Sequence, residues 1–280
     1  MHPILFEWGP QGARTIVLTY EVAFWASGIL AVLVGAVTAR WLKLPVARTA
    51  LLLVCAAVAV PVGARALYYF EYPSFFAGQD PLNVFEFSTA HFSLMGGVLL
   101  ATAVTLLGLW LLRLDVWKTA DAIAPGLGIG IAVMRVGCFC AGCCYGIVTR
   151  GPLGVTFPPG SVAHLVQMGS GQIGLFDAPL PVFPTQLFEL AGGLAAAVLA
   201  AVLLARRAPS GVAFLAAAAL FDVVRWAVYP IRYYPEAFAG PSWEYPALYA
   251  GVLVLLLALL VWRIRTARRG SPEPGPQAPS

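Results

Sequence analysis

The residues best suited to chemistry are four cysteines crowded into seven positions, Cys138, Cys140, Cys143 and Cys144, within the run R-V-G-C-F-C-A-G-C-C-Y-G over 135–146. A thiolate serves as nucleophile, metal ligand or redox partner. Cys140 and Cys143 carry the C-x-x-C spacing of thiol-exchange sites, so a structural disulfide and a reactive thiol both fit. Four thiolates also suit zinc. The compact spacing, with no second ligand knuckle, argues against that use, and neither a metal nor any other cofactor is expected. The fifth cysteine, Cys55, stands alone in an apolar run and reads as packing.

A second group is set apart by where it sits. Glu21, Arg65, His91, Asp121, Arg135, Glu189, Asp222 and Arg225 fall inside or at the ends of apolar runs. A charge at membrane depth costs roughly 2.5–3.5 kcal/mol on insertion scales, so each such residue is a functional candidate. Arg65 and Asp121 read as structural, close enough to an interface to snorkel. Asp222 and Arg225 are three apart and share a helix face; they form either a self-neutralising pair or an anion-binding arginine held by its neighbour. Arg135 has no local acid. A guanidinium binds phosphate bidentately, which makes a lipid phosphate its natural partner. His91 precedes Ser93, Met95 and the Gly96–Gly97 pair, which admits close backbone approach.

These residues must be positioned by membrane helices. Of 280 residues, 60% are hydrophobic and 11% charged, with a mean hydropathy of +0.82; a soluble domain carries about 25% charged residues. In lipid every backbone polar group is paired internally, by helices or a closed barrel. The Leu-, Ala- and Val-rich runs lack the alternation of barrel strands. The expected fold is all-α, a polytopic transmembrane bundle of about seven helices with a small outer-face loop subdomain. Spans fall near 16–39, 49–70, 89–112, 119–138, 187–205, 211–229 and 246–264. Residues 1–269 form a single membrane domain, 139–186 the loop subdomain, and the Pro-rich 270–280 a disordered cytoplasmic tail. Residues 71–88 read as an interfacial loop. No cleavable signal peptide and no internal repeat are expected.

Charge gives the bundle a direction. Arg40, Lys43, Arg48, Arg113, Lys118, Arg206, Arg207, Arg263, Arg265, Arg268 and Arg269 fall on one side, and Arg14, Arg150 and Arg232 on the other. The positive-inside rule makes the eleven cytoplasmic, with the N-terminus outside and the C-terminus inside the plasma (inner) membrane. The net charge of +4 follows this pattern and implies no nucleic-acid partner.

The 135–146 run resembles the signature of prolipoprotein diacylglyceryl transferases, close to R-I-G-N-F-x-N-G-E-x-W-G. Arg135, Gly137, Phe139, Gly142 and Gly146 match it. Cys138, Ala141 and Cys143 stand at its two Asn and its Glu. Further stretches agree in order: H-P-I-L-F-E-W-G-P followed by Tyr20, S-L-M-G-G (93–97) for S-F-H-G-G, P-T-Q-L-F-E (184–189) for P-S-Q-L-Y-E, and F-D-V-V-R (221–225) for an E-x-x-R. Met95 replaces the family's proposed His base, and Ala218 one of its arginines. The chain looks like a divergent, cysteine-bearing branch.

The resemblance implies a seven-helix enzyme, N-terminus outside, moving a diacylglyceryl group from a phosphatidylglycerol-like phospholipid to the cysteine thiol of an exported lipoprotein precursor. It implies phosphate binding by Arg135 and Arg225, with Asp222 orienting Arg225 and Gln186 placing the headgroup. His91 would be the base and Glu189 its reserve. Cys138 or Cys143 is a candidate nucleophile, and Tyr20, Gly96, Gly97, Gly137 and Gly142 are candidate substrate-binding positions. Two other classes stay open: a membrane thiol–disulfide oxidoreductase using Cys140 and Cys143, and a permease for sulfur compounds lined by the cysteines.

Overall fold

A computed structural model describes residues 4–8, 15–73, 93–234 and 243–269. His91, most of the 71–88 segment and the 270–280 tail lie outside the described residues. Two antiparallel strands, β1 (Ile4–Trp8) and β2 (Thr15–Leu18), open the chain, with Ile4 opposite Leu18 and a bulge before Phe6. This hairpin was not anticipated. The β-branched T-I-V-L run merges into the apolar stretch behind it, so the first span begins at Thr19 rather than 16.

The helices are α1 (Thr19–Trp41), α2 (Val46–Glu71), α3 (Leu94–Leu111), α4 (Val116–Ala141), the short α5 (Val162–Gly169), α6 (Thr185–Ala205), α7 (Val212–Val228) and α8 (Glu244–Arg269). Six are long and apolar enough to cross a membrane, and α3 is a shorter apolar helix. The protein is a multi-pass membrane protein with an all-α bundle.

Helix α4 is the hub, packed against α1, α6 and α7; α2 joins α1 to α3, and α8 lies on α7. Small residues make the crossings close. A Cβ on Gly128 would sit 2.6 Å from the Gly193 carbonyl oxygen of α6, and one on Gly97 would sit 2.9 Å from the Val60 carbonyl oxygen of α2. Gly96 faces the backbone of Gly63 still more tightly. Asp121 caps α7 from α4: its carboxylate accepts from the N–H of Gly211 at 2.6 Å and of Phe214 at 2.9 Å. Its role is structural, and it works by capping.

Helix α4 runs three residues beyond its expected end and carries Cys138 and Cys140 on its last turn. From Gly142 to Pro184 the chain folds over this end of the bundle around buried Tyr145, Phe157, Ala163 and Val182. Val155 and Val182 exchange backbone hydrogen bonds, and the Gly146 N–H donates to the Phe183 carbonyl. The return into α6 is thereby fixed beside the end of α4.

Candidate active site

Glu189, on the second turn of α6, is wholly buried and meets three arginines from three parts of the chain. Arg135 of α4 brings its Nε to 2.5 Å from Oε2. Arg232, just past the 3-10 turn Tyr229–Ile231, donates from Nη1 to Oε1 at 2.7 Å. Arg225 of α7 donates to the same oxygen. One carboxylate facing three guanidinium groups leaves two positive charges in excess within this group. The arginine side chains keep 16%, 20% and 12% of their surface for Arg135, Arg225 and Arg232. A cluster with this excess of charge and part of its surface uncovered has the chemistry to accept an anion.

Tyrosines frame its far side. Arg225 Nη2 donates to the Tyr249 hydroxyl at 3.3 Å, and the Arg232 guanidinium lies 5.8 Å from the centre of the Tyr234 ring. Tyr234 stacks on Tyr245 at 5.7 Å, and Tyr229 packs against both. Burial pushes the Tyr234 hydroxyl above its ordinary range, opposed by the charge of Arg232.

The cysteines reach this cluster through a helix C-cap. Gly142 is left-handed, φ +69°, where a side chain is strained. Its N–H donates to the Phe139 carbonyl, and the N–H of Cys143 donates back to the Cys138 carbonyl at 3.1 Å. The reversal lays Cys143 and Cys144 beside Cys138. The three sulphurs converge within 4.8 Å of one another, and Cys140 is not one of them. Cys144 itself is left-handed, φ +59°, a conformation a non-glycine residue holds only when its surroundings enforce it.

Helix α6 supplies that enforcement. Thr185 Oγ1 donates to the Cys144 carbonyl and Gln186 Nε2 to the Cys143 carbonyl, both at 2.6 Å. The Gln186 amide thus holds the cysteine turn, while its buried Oε1 has no hydrogen-bond partner among the described residues. The thiols and arginines meet at Arg135, whose Nη1 lies 3.7 Å from Cys138 Sγ. Hydrogen bonds from the Cys138 and Cys143 thiols, and then the charges of Arg232 and Arg135, hold the Cys144 thiol well below the ordinary thiol range. Hydrogen bonds with the Cys138 and Cys144 thiols, and then burial, push the Cys143 thiol up.

Several expected placements come together and others do not. Arg135, Arg225, Glu189, Cys138 and Cys143 meet. Gly137 lets α1 approach α4, since a Cβ there would run into Ala23 and lie 3.4 Å from the Tyr20 Cα; Tyr20 is within electrostatic reach of the three thiols and Arg135. Gly96 and Gly97 serve the α2–α3 crossing. Met95 turns outward, with 54% of its surface exposed. Asp222, expected to orient Arg225, lies within electrostatic reach of it, but the carboxylate hydrogen-bonded to Arg225 is Glu189, and the buried Asp222 Oδ2 has no hydrogen-bond partner among the described residues. Arg135, which has no acid near it in sequence, pairs with the same carboxylate. Arg232 and Thr185 were not anticipated. The signal for Arg232 was its place on the side that the charge bias leaves nearly free of cations.

A sequence model of the family described as prolipoprotein diacylglyceryl transferase matches residues 3–263. The chain belongs to that family. Among similar proteins, the phosphatidylglycerol–prolipoprotein diacylglyceryl transferase 2 of Clostridium perfringens is 32% identical over 115 residues, covering 40% of this chain and 38% of the relative. The transferase of that name from Rhodopirellula baltica is 31% identical over 117 residues, 40% of this chain and 24% of its own. That from Pasteurella multocida is 28% identical over 197 residues, 67% of this chain and 62% of its own. The chain therefore spans less than two thirds of each of these relatives. Of the arginine–glutamate cluster, Arg135 lies on the helix that carries the signature-like run, and Cys138 and Cys143 follow it there.

Proposed function

We propose that this chain transfers a diacylglyceryl group from a phosphatidylglycerol-like phospholipid to the cysteine thiol of an exported lipoprotein precursor. The observation that carries the reading is the buried Glu189 carboxylate with three arginines around it, an anion site in a family of phospholipid-using transferases. In the reaction the acceptor thiolate attacks the glycerol carbon. A carbon–sulphur bond forms, the carbon–oxygen bond to phosphate breaks, and glycerol phosphate leaves with the electron pair.

Arg135, Arg225 and Arg232 receive the charge that develops on the leaving phosphate. Glu189 acts as a positioning residue that spaces the three guanidinium groups; so engaged, it is no reserve base. Thr185 and Gln186 position the cysteine turn beside them. His91 stays the base candidate from sequence. An enzyme thiol attacking the same carbon would be trapped as a thioether, which is a poor leaving group, so neither Cys138 nor Cys143 carries the group covalently. The acceptor approaches along the cleft lined by Tyr145, Val148, Leu180 and Tyr233, which begins one residue beyond Cys144.

The site lies at the outer ends of the helices, with the N-terminus outside and the C-terminus cytoplasmic. The test is complementation of cells depleted of their own diacylglyceryl transferase, followed by mass analysis of a reporter lipoprotein. A reporter heavier by one diacylglyceryl group is expected. An unmodified reporter despite good membrane expression would overturn the reading.

A further inference from the structure

Three thiols converge at the edge of the arginine cluster, and the reading of those arginines gives the thiols no task. They are not spread along a surface: Cys138 ends one helix, while Cys143 and Cys144 are folded back onto it by the Gly142 turn and tied down by Thr185 and Gln186. A tetrahedral zinc ion with sulphur ligands at about 2.3 Å sets neighbouring sulphurs about 3.8 Å apart. Sulphurs already within 4.8 Å of one another have about 1 Å or less to close to reach that spacing. The sequence spacing that argued against a metal knuckle is overcome by the helix cap, which brings residues five and six positions apart onto one point.

Charge supports the same use. Three thiolates and one Zn²⁺ carry a single negative charge, placed 3.7 Å from the Arg135 guanidinium and next to a group with two positive charges in excess. Chemistry supports it further. The proposed reaction alkylates a thiol, and its usual obstacle is that a free thiol is largely protonated at neutral pH. A zinc site with three protein ligands keeps its fourth position open for a substrate, and a thiol that coordinates zinc is deprotonated outright. The position of the family's proposed base is Met95, a residue with no titratable group and more than half exposed.

We propose that Cys138, Cys143 and Cys144 bind one zinc ion whose open fourth position takes the acceptor's cysteine as a thiolate. The inference rests on the transferase reading. The acceptor thiol binds the metal and releases its proton to water. The zinc-bound sulphur then attacks the glycerol carbon, forming the carbon–sulphur bond as the carbon–oxygen bond breaks. Glycerol phosphate departs onto Arg135, Arg225 and Arg232, and the thioether product, a weak ligand, leaves the metal. No oxidation change occurs.

The test begins with elemental analysis of the full-length protein purified in detergent without chelators. About one zinc per chain is expected, unchanged in Cys55→Ser and lost in Cys143→Ser and in Cys144→Ser. Two variants on the turn are used because Cys138, packed within a helix, is the one more apt to disturb folding; monodisperse elution of each variant is required alongside. Cobalt substituted for zinc should give sulphur-to-metal charge transfer and tetrahedral visible bands. Those bands should shift when a peptide with one lipobox cysteine is added, and stay put with its Cys→Ser counterpart. Metal-free protein, copper in place of zinc, a disulfide among the three thiols, or cobalt bands indifferent to the peptide would each overturn the proposal. Full transfer activity in Cys143→Ser and Cys144→Ser would sink it while sparing the transferase reading. Zinc bound and peptide ligated, with no diacylglyceryl transfer in cells, would do the reverse.

Discussion

At the scale of the residue, the arginine cluster explains which charges tolerate burial. Glu189 has no exposed surface, and removing one partner of a buried ionic group costs about 3–5 kcal/mol because the others are left uncompensated. Glu189→Gln should therefore lower thermal stability in detergent by an amount of that order, with Glu189→Asp intermediate. A calorimetric or fluorescence melt unchanged in Glu189→Gln would contradict the pairing. Arg232 makes a sharper test, because only the fold places it with the others. Loss of one preorganised donor to a developing anion typically costs about 10²–10³-fold in rate. Arg232→Ala should cut transfer by a factor in that range, whereas Arg150→Ala, on the exposed strand-like return, should leave it intact in a vesicle assay with a fluorescent acceptor peptide. The sequence made Arg135, Glu189 and Arg225 visible because a charge inside an apolar run is costly. Their pairing was not visible, since Glu189 lies 36 residues from Arg225 and 43 from Arg232, while helical spacing pointed to the nearby Asp222. Arg232 was visible only as one of the few cations on its side, because it follows the helix end rather than standing inside an apolar run.

At the scale of the element, apolar length alone made the six long helices and the shorter α3 legible, because lipid forces each long apolar run to pair its own backbone. The hairpin before α1 was illegible for the converse reason: a β-branched stretch abutting a membrane span looks like more span. The cysteine turn was half legible. The clustering is plain in sequence, yet C-x-x-C spacing favoured Cys140, and only the left-handed cap at Gly142 selects Cys138, Cys143 and Cys144 instead. A Cβ at Gly142 would also lie 3.1 Å from Phe157 and from Ser161. Gly142→Ala should then cost about 1–2 kcal/mol from the left-handed backbone alone and loosen the turn. Faster alkylation of Cys143 and Cys144, read by mass spectrometry of tryptic peptides, is the expected outcome. Gly142→Asn should be milder, since Asn visits this region more readily. Equal labelling rates in wild type and Gly142→Ala would show that the cap does not hold the thiols.

At the scale of the whole molecule, the same helices that end in the thiols and arginines begin or finish, at the opposite end, in ordinary cations. The connections after α1, α3 and α6 carry Lys43, Arg113 and Arg207 in tight left-handed turns, and Arg263 of α8 lies 5.0 Å from the Trp117 ring and donates to the Ser210 carbonyl at 2.9 Å. One end is thus rich in exposed positive charge, whereas the other gathers its arginines around an internal carboxylate. Lysines and arginines in short connections and near the ends of spans resist translocation, and acidic residues count little. Arg135, Arg225 and Arg232 are three against eleven, so they oppose the exit of their end of the bundle far less than the eleven cations oppose theirs. The C-terminus should therefore stay in the cytoplasm. A C-terminal green fluorescent protein fusion should fluoresce, and the matching alkaline phosphatase fusion should be inactive; an active phosphatase would place the tail outside. Moving cations should then move the protein. Replacing Arg265, Arg268 and Arg269 with Gln while adding three lysines after Leu5 should shift part of the population to active phosphatase, because the bias is summed over both sides. A phosphatase signal that ignored this exchange would mean that packing, not charge, sets the direction of the bundle.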